Sequence, residues 1–340
     1  MTSRLFGVGV SGPSLTAAER DVLDRFPPRG VILFARNIVS VEETRALAGE
    51  IRSRGLLLFV DLEGGPVDRF RGLLGPSISF REAAAAGLAR RAGELAGEAC
   101  ARLGFDVDLA PVVDRRVPGA SAEVLRERCA AGEPADVARA ANAFLSGLHS
   151  RGIGGCVKHF PGLGRADLDT HRALPQIPTD RRERMKDLES FRRTAPRAGA
   201  VMISHAAGSD GVPASLSRAV ATRLLRGALG FRGAAFSDDL EMGALAAFGG
   251  LPERAAAAAR AGCDLLFVCS RIAEYPDCVA AVERTVPARR RADAAARLEA
   301  YARRLERLRK RARAPRPLPK LTAAIARLRE QGSAPAGDPG

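Results

Sequence analysis

The feature that most constrains the fold is a regular alternation between short apolar segments and longer amphipathic segments. The apolar segments are rich in Val, Ile, Leu and Phe, and the segments between them repeat apolar residues at helical spacing. This alternation is typical of βα units that build a parallel sheet. The predicted strands are Leu5–Val10, Gly30–Ala35, Leu56–Val60, Val107–Val113, Gly154–His159, Ala200–His205, Gly233–Ser237 and Asp264–Cys269. Eight such units favour a closed (β/α)₈ TIM barrel, an α/β fold, over a doubly wound sheet.

Seven helices are predicted in the intervals between these strands. They cover Leu15–Arg25, Val41–Arg54, Arg81–Leu103, Ala135–Ser150, Asp180–Arg197, Ser217–Leu229 and Pro252–Ala261. A further amphipathic helix is predicted after the eighth strand, because apolar residues recur at three- and four-residue spacing at Leu298, Tyr301, Leu305 and Leu308. Arginines occupy its other face, so we expect the apolar face to pack on the barrel.

The carboxy-terminal end has the composition of an appendage. A Pro-rich break at Pro315–Pro319 precedes a short predicted helix at Leu321–Arg329, and residues Gln331–Gly340 are mostly small, Gly or Pro. Such a composition is typical of disorder. We therefore predict a barrel domain over residues 1–313 with a closing carboxy-terminal helix. Residues 314–340 are predicted to form a partly disordered tail that the chemistry does not need.

The chain is strongly basic, but the basicity is local. The net charge is +14, and residues 281–320 hold fourteen basic and four acidic residues, which account for +10 of it. A solvated helix face explains such a cluster. Aromatic residues make up 5% of the chain and Trp is absent, so the rings that stack on single-stranded nucleic acid are scarce. We predict no nucleic-acid partner.

Composition and cysteine spacing argue against membrane, exported, metal-binding and disulfide-rich proteins. With 46% hydrophobic and 27% charged residues, the chain has globular composition and shows no candidate membrane span. Met1–Gly12 lacks the pattern of a signal peptide, so we expect a cytoplasmic protein with no membrane partner. The six cysteines form no CxxC pair and have no histidines at ligand spacing. We therefore predict no metal, no cofactor and no disulfide framework, and we expect a monomer.

Polar residues at the ends of the predicted strands are the first candidates for function, because barrel active sites lie at the carboxyl ends of the strands. They are Asn37, Asp61, Glu63, Asp114, Lys158, His159, His205, Asp238 and Asp239. Any one of them could instead cap a helix. However, three of the four histidines, His159, His171 and His205, fall at strand ends or in the loop after the fifth strand. Their convergence predicts one polar site.

Lys158 is unusual because the chain uses arginine for almost every positive charge. It is one of only four lysines among 53 basic residues. A compact ammonium cannot be exchanged for a forked guanidinium in a tight polar pocket. Lys158 is therefore predicted to contact a ligand at short range.

Four segments resemble a known family. They are GVILFARNI at Gly30–Ile38, DLEGGPVDRF at Asp61–Phe70, KHFPGLG at Lys158–Gly164 with Asp169-Thr-His171 after it, and SDDLEM at Ser237–Met242. Pro213–Arg218 and Leu229–Gly233 add support. Together they resemble the family-three glycoside hydrolases, and within them the bacterial β-N-acetylglucosaminidases of cell-wall recycling. The resemblance covers residues 4–275 in order.

The resemblance implies an activity and a set of site residues. The activity is removal of terminal β-linked N-acetylglucosamine from peptidoglycan fragments, with retention of configuration. Asp238 matches the nucleophile that forms a covalent glycosyl-enzyme. Asp169 and His171 match a dyad in which the carboxylate orients the imidazole that acts as acid and base. The residues that match sugar-binding positions are Asp61, Arg69, Lys158, His159 and, in a less similar setting, Arg128.

The residue types agree with these roles. Most retaining glycosidases use a carboxylate nucleophile and a second carboxylic acid, and here His171 replaces the second acid. Its ordinary pKa near 6.5 suits proton delivery and recovery around neutral pH, and an aspartate partner fixes its tautomer. Asp238 and Asp239 are adjacent in a predicted strand, where successive side chains point to opposite faces. Only one of them is therefore expected to face the site.

The sequence departs from the family pattern at a few positions. Leu163, Arg165 and Ala166 replace the usual histidine and aspartate-threonine of the dyad loop, and Pro66 replaces an arginine common after the paired glycines. These changes spare every residue assigned to catalysis. They leave open the conformation of the loop and the preference beyond the terminal sugar.

Several other functions are compatible with part of this pattern. A β-glucosidase or β-xylosidase of the same family usually takes its acid/base from a second domain, for which this chain has no room. A phosphorylase that uses phosphate as acceptor, or a hydrolase of chitin oligosaccharides, stays open. A sugar-binding barrel would be favoured by loss of the nucleophile, but Asp238, Asp169 and His171 are all present. A metal-dependent hydrolase is disfavoured, since no His-x-His follows the first strand.

Overall fold

The chain forms the parallel barrel that the sequence predicts. The computed structural model describes residues 1–116, 125, 128–130, 132–164, 174, 180–208 and 210–333. The strands are β1 (Phe6–Gly9), β2 (Gly30–Leu33), β3 (Leu57–Val60), β4 (Leu62–Gly64), β5 (Val67–Asp68), β6 (Val107–Asp108), β7 (Gly154–Gly155), β8 (Val157–Phe160), β9 (Ala200–Ile203), β10 (Ala234–Asp239) and β11 (Leu265–Val268). Nine strands form one sheet in the order β7-β6-β3-β2-β1-β11-β10-β9-β8, while β4 and β5 form a separate antiparallel hairpin.

The barrel closes through the fifth predicted strand, which is divided in two. Its first half, β7, pairs with β6, and its second half, β8, pairs with β9. Cys156 lies between the halves, and its amide donates to the carbonyl of Ala110. The fourth predicted strand is also shorter than expected, because Pro111 has no amide hydrogen to continue the ladder. Beyond it, Val112 makes an isolated parallel bridge to Lys158.

Helices cover the outside of the barrel. They are α1 (Ala17–Arg25), α2 (Val41–Ser53), α3 (Arg71–Leu74), α4 (Phe80–Ala85), α5 (Ala89–Leu103), α6 (Pro134–His149), α7 (Arg181–Ala198), a π-helix (Ala219–Ala228), α8 (Leu251–Ala261), α9 (Tyr275–Thr285), α10 (Ala288–Lys310) and α11 (Leu318–Ser333). In the part of the chain that the structure describes, no helix combines the length and apolarity needed to cross a bilayer.

Two helix predictions need correction. The predicted helix Arg81–Leu103 is two helices, because Gly87 adopts a φ of +70°, a left-handed conformation that breaks the helical path. Helix α9 was not predicted, although Pro276 stands in its first turn, where proline is favoured. Because proline more often interrupts a helix than begins one, Pro276 gives no clear sequence signal for the start of α9.

The carboxy-terminal helix α11 is longer than predicted and is packed against the barrel. It contacts α3, α4 and α5, and it buries Leu321, Ile325 and Leu328. Thus the segment up to Ser333 is part of the folded molecule, whereas the composition suggested an appendage. The rest of the predicted disordered end, residues 334–340, lies outside the described residues.

Aromatic side chains from three strands fill the barrel interior. The rings of Phe59, Phe236 and Phe267 meet edge to face, with centroids 5.5 to 6.1 Å apart. Gly7 and Gly30 make room for them, because a Cβ atom on either would lie 2.7 Å or less from a neighbouring ring. Such contacts form a packed core rather than a pore.

Helix α10 closes the amino-terminal end of the barrel. The hydroxyl of Tyr301 donates to the carbonyl of Gly155 at 3.0 Å, and its ring packs on Phe236 at 5.7 Å. Leu305 reaches the same place, where a Cβ on Gly154 would collide with it. The prediction that this helix packs on the barrel is confirmed.

Candidate active site

A cavity opens at the carboxyl ends of the barrel strands, where the sequence predicted the site. It encloses about 150 Å³ and is walled by residues from or just after β2, β3, β8, β9, β10 and β11. The predicted site residues that line it are Asp61, Arg69, Arg128, Lys158, His159 and Asp238. Asp169 and His171 lie outside the described residues, so their roles stay predictions.

Lys158 lies at the centre of the polar contacts in this cavity. Its Nζ is 2.6 Å from Asp61 Oδ1 and 2.6 Å from Glu63 Oε1. Burial lowers the pKa of Lys158, but the charges of Asp61 and Glu63 outweigh burial and hold the pKa above its ordinary value. The ammonium is therefore charged and fixed between two carboxylates.

Arg128 extends this arrangement through a two-point ion pair. Its Nε and Nη2 lie 2.8 Å and 3.1 Å from the two oxygens of buried Glu63. Burial raises the pKa of Glu63, but Arg128 and Lys158 outweigh it and hold the pKa well below its usual range. Arg128 Nη2 is also 3.3 Å from His159 Nε2. One continuous polar chain therefore runs from Asp61 through Lys158, Glu63 and Arg128 to His159.

Asp114 holds His159 and the start of the next loop. Its Oδ2 accepts from the His159 amide at 3.0 Å and lies 2.7 Å from His159 Nδ1, while its Oδ1 accepts from the Leu163 amide at 2.7 Å. The geometry places the proton on Nδ1, because Nε2 faces the donor Arg128. The Lys158–His159 peptide bond is cis, and both side chains line the cavity.

Asp238 and Asp239 are both among the residues that line the cavity, whereas the alternation of an extended strand predicts that only one side chain faces the site. The strand pairing explains the difference. The register between β10 and β11 shifts between Phe236 and Asp239, and such a bulge interrupts the alternation of side chains. The amide of Asp239 donates to Asp238 Oδ1 at 2.9 Å.

The two adjacent carboxyls ionise differently. Burial raises the pKa of Asp238, but the imidazoles of His205 and His159, the Asp239 amide and Lys158 outweigh burial and lower it. Burial and the neighbouring charge of Glu241 instead raise the pKa of Asp239 to about 7. Asp238 is therefore the carboxylate that is ionised at neutral pH.

His205 supports the backbone beside the two aspartates. It is fully buried, its Nδ1 lies 2.7 Å from Ser215 Oγ, and its Nε2 lies 2.8 Å from the Asp239 carbonyl oxygen. A carbonyl oxygen only accepts, so Nε2 carries a proton and donates. Burial lowers the pKa of His205, against the opposing charge of Asp238. These bonds fix the strand end that carries Asp238.

Arg69 has an unused donor in the cavity. Its Nε is buried and has no hydrogen-bond partner among the residues that the structure describes. Its guanidinium carbon lies 5.8 Å from the ring centroid of Phe34, which also lines the cavity. Buried donors are normally satisfied, so this unpaired donor beside the cavity is unusual.

The loop expected to carry the dyad begins from a fixed base. Arg115 donates to Asp187 at 2.9 Å and to Glu183 at 2.5 Å, which ties it to α7. Gly164 packs against the Arg115 carbonyl so closely that a Cβ would lie 1.8 Å from its oxygen. The amide of Leu163 is held by Asp114. Residues 165–173, with Asp169, His171 and two of the departures from the family pattern, lie outside the described residues.

Sequence reasoning assigned no role to several residues that build this site. Glu63, Asp114 and His205 were noted as polar residues at strand ends, which was the available signal. The hydrogen-bond partners of these residues lie far away in sequence, as Arg128 does from Glu63. Their structural roles are therefore visible only in the folded protein. Within the described residues, no three side chains of His, Cys, Asp or Glu are grouped as metal ligands would be.

Comparison with known proteins identifies the family. The family model "Glycosyl hydrolase family 3 N terminal domain" matches residues 9–308. Beta-hexosaminidases from Alkalilimnicola ehrlichii and Pseudomonas aeruginosa are each 37% identical to the chain, over 82% and 81% of it and 83% and 85% of their own lengths.

Solved structures give the same result. A family 3 β-N-acetylglucosaminidase from Paenibacillus has a TM-score of 0.87 at 28% identity, and the match covers 97% of this chain and 68% of that one. NagZ from Neisseria gonorrhoeae, in complex with N-trifluoroacetyl-D-glucosamine, has a TM-score of 0.79 at 28% identity, with 97% and 98% covered. The barrel is thus that of a glycoside hydrolase. The chain belongs to glycosyl hydrolase family 3.

Proposed function

We propose that this protein is a retaining exo-β-N-acetylglucosaminidase with Asp238 as its nucleophile. The observation that carries the proposal is an ionised Asp238 in the same cavity as the polar chain from Asp61 to His159. A carboxylate that stays charged in a buried site is suited to attack carbon and to stabilise positive charge on a sugar ring. The names of the relatives support N-acetylglucosamine as the sugar removed.

In the first step, an oxygen of Asp238 attacks the anomeric carbon as the bond from that carbon to the aglycone oxygen breaks. The only hydrogen bond to Asp238 from the described residues goes to Oδ1, so Oδ2 is the oxygen assigned to the attack. His171, oriented by Asp169, gives its proton to the departing oxygen. The products are a glycosyl-enzyme ester and the free aglycone.

In the second step, water attacks the same carbon and releases Asp238. The imidazole of His171, now without its proton, takes one from this water, so the enzyme returns to its starting state. Two displacements retain the configuration at the anomeric carbon.

The polar chain holds the terminal sugar during both steps. Asp61 accepts hydrogen bonds from hydroxyl groups, while Lys158, Arg128 and Arg69 donate them. His159 lies beside them and contacts the sugar, while Asp114 and Arg128 hold its two ring nitrogens. Because these partners are already paired or packed before the sugar binds, little further ordering is needed on binding.

We further propose that the natural substrates are peptidoglycan fragments that carry a terminal N-acetylglucosamine on anhydro-muramic acid. The resemblance of the site motifs to cell-wall recycling enzymes supports this choice, and we propose a cytoplasmic location together with it. If purified muropeptide fragments are untouched while chitobiose is cleaved rapidly, turnover of chitin oligosaccharides replaces recycling as the assignment.

We also propose that the protein acts as a monomer. In the part of the chain that the structure describes, only three large apolar side chains are exposed, namely Met1, Val39 and Met185. Three apolar side chains offer little of the apolar surface that a stable subunit interface needs. Sedimentation equilibrium should give a mass near 35.9 kDa, and a concentration-independent dimer would contradict this.

The experiment that tests the activity compares three chromogenic substrates. Purified protein is assayed with the β-N-acetylglucosaminide, the β-glucoside and the β-galactoside of one phenol, with and without phosphate. We expect rapid release from the first alone, independent of phosphate. Asp238→Asn should lose at least about 10³-fold of kcat, whereas the exposed Asp136→Asn should be unchanged. Equal release from the glucoside, or full activity of Asp238→Asn, would overturn the proposal.

A further inference from the structure

A second cavity lies at the amino-terminal end of the barrel, opposite the active site. It encloses about 390 Å³ between the end of α7, the segment that leads into β10, and α10. In barrel enzymes the chemistry takes place at the other end, and the amino-terminal face serves stability. The proposed hydrolase activity therefore makes no use of this cavity.

The cavity is lined by an excess of positive charge. Its arginines are Arg192, Arg232, Arg297, Arg304 and Arg307, and no carboxylate is among its lining residues. Arg192 pairs with Glu189, and Arg297 pairs with Asp264. Among the described residues, no ion pair forms with the other three arginines. The basic carboxy-terminal segment contributes three of these arginines, Arg297, Arg304 and Arg307, to the cavity. The sequence alone assigns no role to this segment.

Arg304 is the innermost of these arginines. Its Nη2 donates to the carbonyl of Arg197, while its Nε is buried and finds no partner within the described residues. It lies against Gly199, where a Cβ would be 3.1 Å from that Nε. A half-buried guanidinium with an unused donor is a ready site for an anion.

The neighbouring titratable groups report the same positive environment. Burial lowers the pKa of Arg304, Tyr301 opposes this, and Arg307 and Arg197 lower it further. Burial, together with Arg304 and Arg197, also lowers the pKa of His149 to about 3. A nearby anion would relieve the repulsion between these cations.

The other wall of the cavity is apolar. It is formed by Phe191, Pro196, Leu229, Phe231 and Tyr301. A volume of about 390 Å³ lies within the range of small-molecule pockets, about 300 to 1,000 Å³. An extended nucleic acid needs a long basic groove with stacking rings, which a concavity of this size does not offer.

We propose that this cavity binds a small phosphate monoester. Its phosphate would take the donors of Arg304, Arg232 and Arg307, since the guanidinium fork matches phosphate oxygens. Its organic part would pack on Phe231 and Pro196. The site is independent of catalysis and would exist whichever sugar the enzyme removes.

Isothermal titration calorimetry with three probes tests the ligand class. At low ionic strength we expect phenyl phosphate to bind at a single site with a Kd below about 1 mM, inorganic phosphate to bind at least about tenfold more weakly, and phenol not to bind. Raising NaCl from 50 to 500 mM should weaken phenyl phosphate several-fold, because salt screens charge. Absence of phenyl phosphate binding at 10 mM would overturn the proposal.

Charge-removing variants locate the site. Arg304→Met should weaken phenyl phosphate at least tenfold, and so should the exposed pair Arg232→Met with Arg307→Met, which leaves the core untouched. Arg303→Met removes an exposed charge from the same helix outside the cavity and should bind like the wild type. Binding that survives both cavity variants, or that falls equally in Arg303→Met, would show that the probe binds elsewhere and would overturn the proposal.

Discussion

Asp238 and Asp239 show how surroundings assign different tasks to identical side chains. Both residues line one cavity beside the bulge in β10, but cations and imidazoles surround Asp238, whereas Glu241 is the charged neighbour of Asp239. As a result, Asp238 is ionised at neutral pH, whereas Asp239 has its pKa near neutral pH. Separation of pKa values between two neighbouring acids is a usual sign of divided roles.

The raised pKa of Asp239 predicts a stability that depends on pH. In the unfolded chain its pKa is about 3.9, and in the folded protein it is about 7. Between these values the folded state binds more protons, so Asp239 makes the free energy of unfolding fall as pH rises from about 4 to about 7, after which its effect is constant.

The substitution Asp239→Asn should remove this effect. Relative to wild type, we expect little change at pH 4.5 and a gain on the order of 1 to 2 kcal/mol at pH 8, since one pKa unit corresponds to about 1.4 kcal/mol and the side chain is only partly buried. Urea unfolding at the two pH values measures it. Equal changes at both would show that Asp239 titrates normally in the folded protein.

Asp114 is expected to position the sugar-binding residue His159 without contacting the sugar itself. Its carboxylate oxygens bond to His159 and to the amide of Leu163. Asp114→Asn keeps one acceptor and loses the other. We expect kcat/KM for the β-N-acetylglucosaminide to fall roughly 10- to 100-fold, with a rise in KM from the misplaced His159 and a fall in kcat from the loosened loop. An unchanged KM would show that Asp114 does not orient the sugar-binding histidine.

At the residue scale, a role is predictable from sequence where the residue type is chemically irreplaceable. Lys158 stood out because arginine could not take its place, and the structure fixes it between two carboxylates. Arg128 and Glu63 are 65 residues apart, and no local pattern joins them. Their pairing depends on the fold, so it could not be predicted from either residue.

At the scale of elements, the β4–β5 hairpin connects the active site to the carboxy-terminal helix. The hairpin carries Glu63, and Arg69 follows it. A small apolar cavity behind the hairpin is lined by Leu62 on one side and by Ile325 and Leu328 of α11 on the other. Helix α11 thus lies behind the residues that shape the sugar site.

This packing predicts that α11 is needed for stability, which reverses the expectation from composition. Leu328→Ala should lower the free energy of unfolding by roughly 2 to 4 kcal/mol, the usual range for a buried leucine. The matched control is Arg327→Ala on the exposed face of the same helix, which should change it by less than about 0.5 kcal/mol. Urea denaturation measures both.

Truncation after Arg313 should have the larger effect. It removes all of α11, so we expect a lower melting temperature and a higher KM through the loosened hairpin. Wild-type stability and kinetics in the truncated protein would contradict this expectation and would show that residues 314–340 are dispensable.

Helix and strand positions were mostly predictable because apolar periodicity depends on local sequence. Apolar periodicity does not indicate the packing role of Gly7 and Gly30, which leave space for the aromatic rings in the barrel core. The division of the fifth strand and the docking of α11 also depend on what lies opposite each segment. Strand pairing at a distance and packing of an exposed-looking helix are tertiary effects, so local periodicity missed them.

At the scale of the whole molecule, the two ends of the barrel carry different chemistry. The carboxyl end mixes cations with carboxylates around Asp238, while the amino-terminal end concentrates arginines from α10. The net charge of the chain therefore says little about its catalytic site. The sugar site contains nearly balanced charge, which suits a neutral sugar rather than an anion.

The central claim is that Asp238 becomes covalently bonded to the sugar. A fluorinated N-acetylglucosaminyl fluoride slows the second displacement more than it slows formation of the ester, so the glycosyl-enzyme accumulates. Peptide mass spectrometry of the trapped protein should find one sugar, attached to Asp238, and Asp238→Asn should trap none. A label on Asp239, or inactivation with an oxazoline product and no labelled peptide, would contradict the account.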